Sequence, residues 1–281
     1  MFENISRGWK LGSEVRKLVF KDKSLFSYPI LSAIISIIIA AALFIPMFFA
    51  TQWGTANYVI VLFVYYLLVT FISTYMLVGM LLSFRAYAKG KPISIGQALS
   101  QANSYTVQIF EWAVFYSIIM MLLRALESRS RGIAGVVLSA VASFALSVAI
   151  LFVIPVIIDQ RAGPIKAIEG SVKFIKDNFG ATFGGLLFSD LYSMMFTLGG
   201  VAILIVGVIA IAAVGAIAIG IAVIGIVLMV IGGLVGYMIS NVFRLILYDY
   251  KLTGKLPAGI DAELIKGSVV SKKQGPSNGV L

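Results

Sequence analysis

The sequence predicts an all-α, polytopic integral membrane protein with six transmembrane helices. Two stretches contain no Asp, Glu, Lys or Arg: Ser24–Phe84 has 61 residues and Leu191–Phe243 has 53. Because a helix rises ~1.5 Å per residue, one helix of either length would far exceed a hydrocarbon layer of roughly 30 Å. Each stretch must therefore fold back as two crossings. Apolar residues form 60 % of the 281-residue chain, and the mean hydropathy is +1.02.

The hydropathy pattern places the elements in order. Polar residues and a glycine at Thr51–Asn57 interrupt the first stretch and predict its turn. The turn in the last apolar block is expected near Ala212–Gly215. Pro46 and Pro155 fall inside spans and should kink them. The predicted spans cover residues 28–50, 58–84, 107–126, 133–158, 183–211 and 216–248.

The basic residues predict the orientation. In a six-helix arrangement, 19 of the 22 Lys and Arg residues fall on one side, and only Arg124, Arg129 and Arg131 remain for the other. Cytoplasmic loops carry the excess of Lys and Arg. We therefore expect a multi-pass protein of the cell membrane with both termini cytoplasmic.

The segments that precede the hairpins look like repeats. Lys91-Pro92-Ile93 and Gly163-Pro164-Ile165 each follow one hairpin and introduce the next, and the apolar residues after Pro164 fall at helical spacing. The predicted plan is three transmembrane hairpins, each preceded by a cytoplasmic amphipathic helix at the membrane interface. Residues 1–250 form a single transmembrane domain in this plan, and residues 251–281 form a cytoplasmic tail that frays at its end.

The composition excludes several kinds of chemistry. The chain has no Cys and no His, which removes the common zinc clusters, His-ligated haem and disulfides. No metal or other cofactor is expected. The net charge of +10 lies in short segments beside apolar spans, which favours membrane lipids, mainly anionic ones, over nucleic acid as the partner. Other membrane protein subunits, or a second copy of the chain, are further candidate partners.

Two carboxylates within predicted spans are candidates for an intramembrane polar site. Burying a charge at mid-bilayer costs on the order of 2.5–3.5 kcal/mol. Asp190 lies about ten residues into its span beside Ser189 and Tyr192, and a pair with Arg244 or solvation in a cavity would also satisfy it. Glu111 lies near a helix start, where the helix dipole and wet head groups favour a carboxylate.

Basic and small residues suggest two further roles. Arg244, Lys166, Lys173 and Lys176 are candidate contacts for lipid head groups or a partner, although Arg at a cytoplasmic helix end is common. Gly232 and Gly236 form a small-xxx-small pair that allows helices to approach closely. Packing inside the bundle is favoured over an oligomer interface for this pair.

Two runs carry a resemblance to a known family. They are Phe152–Asp159, followed by a polar link and a helix with Ser171, and Asn241–Tyr250 with Gly254 downstream. The chain resembles an uncharacterised family of six-span prokaryotic membrane proteins, the domain of unknown function 6159 type. It is also distantly similar to the membrane domain of some glycerophosphodiester phosphodiesterases. The resemblance implies architecture, and no phosphodiesterase activity is expected because this sequence shows no such soluble domain.

We expect a non-enzymatic membrane protein, either an accessory or structural subunit of a complex or a scaffold that organises lipid. The alternative is a transporter or lipid translocator with a cavity around Asp190, Tyr192 and Arg244. An intramembrane hydrolase has the weakest support, because Asp190 and Glu111 lie on different predicted helices.

Overall fold

A computed structural model describes residues 2–52, 54–129 and 133–261, and this part of the chain is helical with no strands. Short 3-10 turns occur at Lys23–Phe26 and Asn103–Tyr105. The α-helices are α1 (Phe2–Lys21), α2 (Ser27–Gln52), α3 (Thr55–Ala88), α4 (Ile95–Ala102), α5 (Thr106–Arg129), α6 (Ile133–Ala149), α7 (Val153–Gln160), α8 (Pro164–Asp177), α9 (Phe179–Val214) and α10 (Ala216–Thr253).

Among the residues that the structure describes, six helical segments are long and apolar enough to cross a membrane. The predicted all-α class and the predicted number of such helices are therefore confirmed. Large side chains such as Ile37, Phe44 and Ile209 are 68–74 % exposed, as expected for a surface whose solvent is lipid. The segments are Lys23–Ala50, Thr55–Ala88, Ile95–Leu126, Val137–Gln160, Thr182–Ile211 and Ala216–Thr253.

The chain divides into two compact units. The first unit contains α1, α9 and α10, and the second contains α2 to α7 with α8 up to Ile175. A single transmembrane domain over residues 1–250 stays a prediction. The predicted tail begins within α10, which continues to Thr253, and its residues 262–281 lie outside the described part of the chain.

Within the second unit, α3 packs against α2, α4 and α5. Ser94 begins α4 with a capping box, in which its side chain accepts from the Gln97 backbone and the Gln97 side chain accepts from the Ser94 backbone. Gly79 of α3 leaves room for Leu99 of α4, since a Cβ there would lie 2.8 Å from its Cδ2. The Tyr75 hydroxyl lies 2.9 Å from the carbonyl oxygen of Leu99, so α3 and α4 are held together.

The fourth apolar segment is broken before Pro155. Proline lacks the N–H that would bond to the carbonyl of Leu151, and its ring clashes with that carbonyl in a regular helix. α6 accordingly ends at Ala149, and α7 begins at Val153 after a short turn. Pro46, in contrast, lies inside α2 without interrupting its helical assignment.

Within the first unit, α9 and α10 pack along each other, and α1 packs mainly against α9 and also against α10. Gly215 separates α9 from α10 with φ 57°, a conformation that glycine adopts without steric cost. With 36 and 38 residues, α9 and α10 are about 54 and 57 Å long at ~1.5 Å per residue. Both are thus much longer than the hydrocarbon layer is thick.

Candidate functional site

Small residues line the contact between α9 and α10. A Cβ on Gly225 would lie 2.5 Å from the Leu204 nitrogen, and a Cβ on Gly207 would lie 2.5 Å from the Ala222 nitrogen. Backbone therefore meets backbone at these positions. Residues later in α9 face residues earlier in α10, so the two helices run antiparallel. We call this contact the α9–α10 seam. It contains both Gly232, beside Phe196, and Gly236, beside Ser193.

Serine hydroxyls bridge one end of the seam. The Ser193 hydroxyl donates to the carbonyl oxygen of Gly232 at 2.8 Å, and the Ser189 hydroxyl donates to that of Gly236 at 3.0 Å. The Ser240 hydroxyl donates in turn to Ser189 at 2.7 Å. These bonds cross between helices where lipid offers no competing partner, and each contributes ~0.6–2 kcal/mol.

Beside the serines, the chain places opposite charges on the two helices. Asp190 is exposed and Arg244 is partly buried. Their charges are close enough to interact, yet no nitrogen–oxygen contact within 4.0 Å joins them among the described residues. We call Asp190, Asn241 and Arg244 the polar layer.

Asn241 orients Arg244 within the polar layer. The Asn241 amide nitrogen donates to the carbonyl oxygen of Tyr237 at 2.8 Å, which turns its Oδ1 toward the following turn of α10. Arg244 Nη1 donates to this Oδ1 at 3.5 Å, the outer limit for a hydrogen bond. Arg244 Nε is buried and has no hydrogen-bond partner among the residues that the structure describes. The guanidinium, with five donors, is thus poorly satisfied.

α1 covers a side of α9 that adjoins the seam. Trp9 meets Phe188 edge to face, with ring centroids 5.0 Å apart, and a Cβ on Gly12 would lie 2.9 Å from the Phe188 ring. The Arg16 guanidinium lies 4.9 Å from the centroid of the Tyr192 ring and 5.8 Å from that of Phe188. This is a cation–π contact at the same level of α9 as Asp190.

The structure thus separates the residues that the sequence grouped around Asp190. Arg244 lies within electrostatic reach of it, whereas Tyr192 contacts Arg16 and the Ser189 hydroxyl bonds across the seam. Successive residues of a helix point about 100° apart, so neighbours in sequence face different helices. The roles of Arg16 and Ser240 were not predicted from the sequence. The seven-residue spacing of Gly200 with Gly207 and of Gly225 with Gly232 was a signal for the seam.

The remaining candidates lie on the second unit, except Lys176, which belongs to the first. Glu111 is exposed near the start of α5. It lies beside Gly163, since a Cβ on Gly163 would be 3.3 Å from Glu111 Oε2. Lys166, Lys173 and Lys176 are exposed on α8, while Ser171 and Phe174 of the same helix are buried. The described residues contain no group of three or more acidic residues that could hold a metal ion.

The motif around Ser171 has a structural explanation. The backbone N–H of Phe152, at the break before Pro155, donates to the Ser171 hydroxyl at 2.9 Å, and both residues are fully buried. The Phe152 and Phe174 rings pack 4.2 Å apart between centroids, and Gly170 lies against Val156. The N-terminal end of α7 is therefore joined to α8 by a hydrogen bond and an aromatic contact.

Six long apolar helices and a polar layer near the end of two of them define a multi-pass membrane protein. Residues 56–258 match the family of unknown function DUF6159, and the chain belongs to this family. The comparisons do not show the expected similarity to glycerophosphodiester phosphodiesterases. No curated protein and no solved structure matches the chain.

Proposed function

We propose that this protein is a non-enzymatic membrane component that organises lipid at the cytoplasmic leaflet, as a scaffold or as an accessory subunit of a membrane complex. The polar layer of Asp190, Asn241 and Arg244 is the observation that carries the proposal. It presents an incompletely bonded guanidinium and an exposed carboxylate at one end of two long apolar helices. Lipid head groups offer partners for both charges.

The lengths of α9 and α10 support a position at head-group depth. If Gly215 lies at the outer surface of the bilayer, level with the head groups there, Asp190 is about 38 Å and Arg244 about 44 Å away along their helices. A bilayer is roughly 30 Å thick in its hydrocarbon and about 40–45 Å thick with its head groups. Both residues therefore fall in the head-group region of the other leaflet.

The proposed topology puts that leaflet on the cytoplasmic side of the cell membrane. Three hairpins, each preceded by an interfacial helix, would place both termini and 19 of 22 basic residues in the cytoplasm. The exposed Lys166, Lys173 and Lys176 of α8 would then face anionic head groups, opposite the buried Ser171 and Phe174. Each such lysine contributes about 1 kcal/mol near an anionic surface.

Lipid retention tests this proposal. The full chain is purified in mild detergent from membranes that contain phosphatidylglycerol, and bound lipid is quantified by native mass spectrometry. The triple variant Lys166→Gln, Lys173→Gln, Lys176→Gln should retain at least fivefold less anionic lipid, whereas the matched triple Lys→Arg variant should retain as much as wild type. A wild-type protein that carries no lipid, or equal retention by the Gln variant, would refute the proposal.

A complex with other membrane proteins, or with a second copy of the chain, is compatible with the scaffold role. The exposed apolar faces of α9 and α10, including Met195 and Ile209, offer surface for such a partner as well as for lipid. Cross-linking in native membranes distinguishes a surface that binds a protein partner from one that faces lipid. A scaffold within a complex should give one dominant protein adduct rather than a diffuse set.

A lipid translocator is the second candidate, favoured by the exposure of Asp190 inside a predicted span. An exposed carboxylate there would help a head group to cross the apolar region. The test is the rate at which dithionite bleaches fluorescent lipid in reconstituted vesicles. Transbilayer movement at the rate of empty vesicles, or movement unchanged in Asp190→Asn, would exclude a role for this site in translocation.

A further inference from the structure

We propose that Asp190 and Arg244 together bind the zwitterionic head group of an aminophospholipid, with the phosphate on Arg244 and the primary ammonium on Asp190. The inference rests on the proposed lipid-organising function and names the class of lipid. It depends on an exposed carboxylate and an incompletely bonded guanidinium on two helices that the Ser240–Ser189 hydrogen bond joins, without closing into an ion pair among the described residues.

Arg244 has the donors for a phosphate. Its one hydrogen bond, to Asn241 Oδ1, is 3.5 Å long, and Nε has no partner among the described residues. A guanidinium is planar and presents paired N–H groups that match phosphate oxygens. Since the Asn241 amide is fixed by its bond to the Tyr237 carbonyl, Arg244 cannot gain a better acceptor from that side chain without breaking a 2.8 Å contact.

Asp190 supplies the acceptor for a cation. Its carboxylate is exposed and makes no hydrogen bond among the residues described. The hydrogen bond between Ser240 and Ser189, immediately before Asp190, holds the two helices at a fixed separation. The helices therefore cannot simply approach to bring carboxylate and guanidinium together. A ligand with a charge of each sign fills this arrangement and leaves both side chains paired.

The same arrangement ranks the common head groups. An anionic head group such as phosphatidylglycerol pairs its phosphate with Arg244 but offers Asp190 only uncharged glycerol hydroxyls and no cation. Phosphatidylcholine has the correct charges, yet its quaternary ammonium has no N–H to donate to the carboxylate. Phosphatidylethanolamine provides a phosphate for Arg244 and three ammonium donors for Asp190. It should be preferred over both.

Competitive lipid retention tests the inference. The full chain is reconstituted in nanodiscs with equal amounts of phosphatidylethanolamine, phosphatidylglycerol and phosphatidylcholine, transferred to detergent, and its bound lipids are counted by native mass spectrometry. In the Lys166→Gln, Lys173→Gln, Lys176→Gln background, which removes the α8 lysines that attract anionic lipid, the protein should retain phosphatidylethanolamine at least fivefold over the other two. Asp190→Asn, which keeps the side-chain shape, should abolish this preference, whereas Glu169→Gln, an exposed carboxylate on α8, should leave it unchanged.

Soluble competitors separate a lipid head group from a free anion. Phosphoethanolamine should displace the retained lipid from wild type at concentrations at least tenfold lower than inorganic phosphate does. Equal potency of phosphoethanolamine and inorganic phosphate would show that the site binds phosphate without recognising the amine, and would overturn the inference. A preference for phosphatidylglycerol, or a preference for phosphatidylethanolamine that survives in Asp190→Asn, would overturn it while leaving the lipid-organising function intact. Absence of any retained lipid would refute both.

Discussion

The hydroxyl of Ser171 accepts a hydrogen bond from the backbone N–H of Phe152, 19 residues earlier in the chain, at 2.9 Å. The bond supplies the acceptor that the helix break before Pro155 would otherwise leave missing. Both groups are buried away from water, so neither can find a substitute partner in solvent. One hydroxyl group thus allows an apolar segment to bend.

Removing that hydroxyl should destabilise the protein. Ser171→Ala leaves the N–H of Phe152 buried and unpaired, which costs ~1–3 kcal/mol. We expect a lower melting temperature in detergent, measured by size-exclusion chromatography after heating. Ser147→Ala is the matched control, because the Ser147 hydroxyl bonds within its own helix and is exposed. An equal melting temperature for Ser171→Ala and its control would contradict this explanation of the helix break.

The α9–α10 seam should not tolerate a methyl group where backbones meet. In Gly225→Ala the new Cβ lies 2.6 Å from the Gly200 carbonyl oxygen and 2.5 Å from the Leu204 nitrogen, so a helix must move. Overpacking of this kind costs ~1–3 kcal/mol. Gly220→Ala, on the same helix with no atom within 4 Å of the new Cβ, should be neutral or slightly stabilising. The comparison uses unfolding in detergent, and equal loss in both variants would argue against close packing.

Gly185 and Phe243 should be energetically coupled. A Cβ on Gly185 would occupy the position of the fully buried Phe243 ring. Phe243→Ala alone should cost ~3–5 kcal/mol through the cavity that it leaves. In the double variant Gly185→Ala, Phe243→Ala, the new methyl group at position 185 fills part of that cavity. The unfolding free energy lost in the double variant should therefore be smaller than the sum of the losses in the two single variants. A double-mutant cycle of unfolding free energies measures the difference, and additive losses would show that the two residues do not meet.

Arg16 should hold α1 on α9 by its contact with Tyr192. The cation–π interaction is worth ~0.5–2 kcal/mol, so Arg16→Gln should increase hydrogen exchange of the α1 backbone amides. Lys17→Gln is the control, because the Lys17 side chain is 59 % exposed and its one ion pair among the described residues is with Glu14 of the same helix. Such exposed pairs contribute at most ~1 kcal/mol. Exchange that rises equally in both variants would assign the effect to lost positive charge rather than to the ring contact.

The sequence predicted the spans because exclusion of charge from lipid is a local property of each segment. Ser24–Phe84 and Leu191–Phe243 show it without any knowledge of their neighbours. The break at Pro155 was predictable for the same reason, since the missing N–H belongs to the residue itself. Ser171 drew notice only through the family resemblance. Its hydrogen bond to Phe152 depends on how α8 packs against α7, and no local sequence pattern predicts this packing.

The polar layer could be predicted only in part. Asp190 and Arg244 stood out as charges in apolar runs, and both belong to it. The assignment of Ser189 and Tyr192 to the same site required knowing which helix faces which side of α9. Arg16 was missed because its partner is 176 residues away in the chain, and a contact of that range leaves no periodic signal.

The position of α1 has a consequence for how the protein is made. Leu11, Val15 and Val19 are buried, and α1 packs on α9 and α10, which begin at residues 179 and 216. A ribosome releases the first helix long before those neighbours exist. Until α9 has been synthesised, the apolar side of α1 needs other cover, such as the membrane surface or a chaperone. The buried side of α1 thus reaches its final packing partner only late in synthesis.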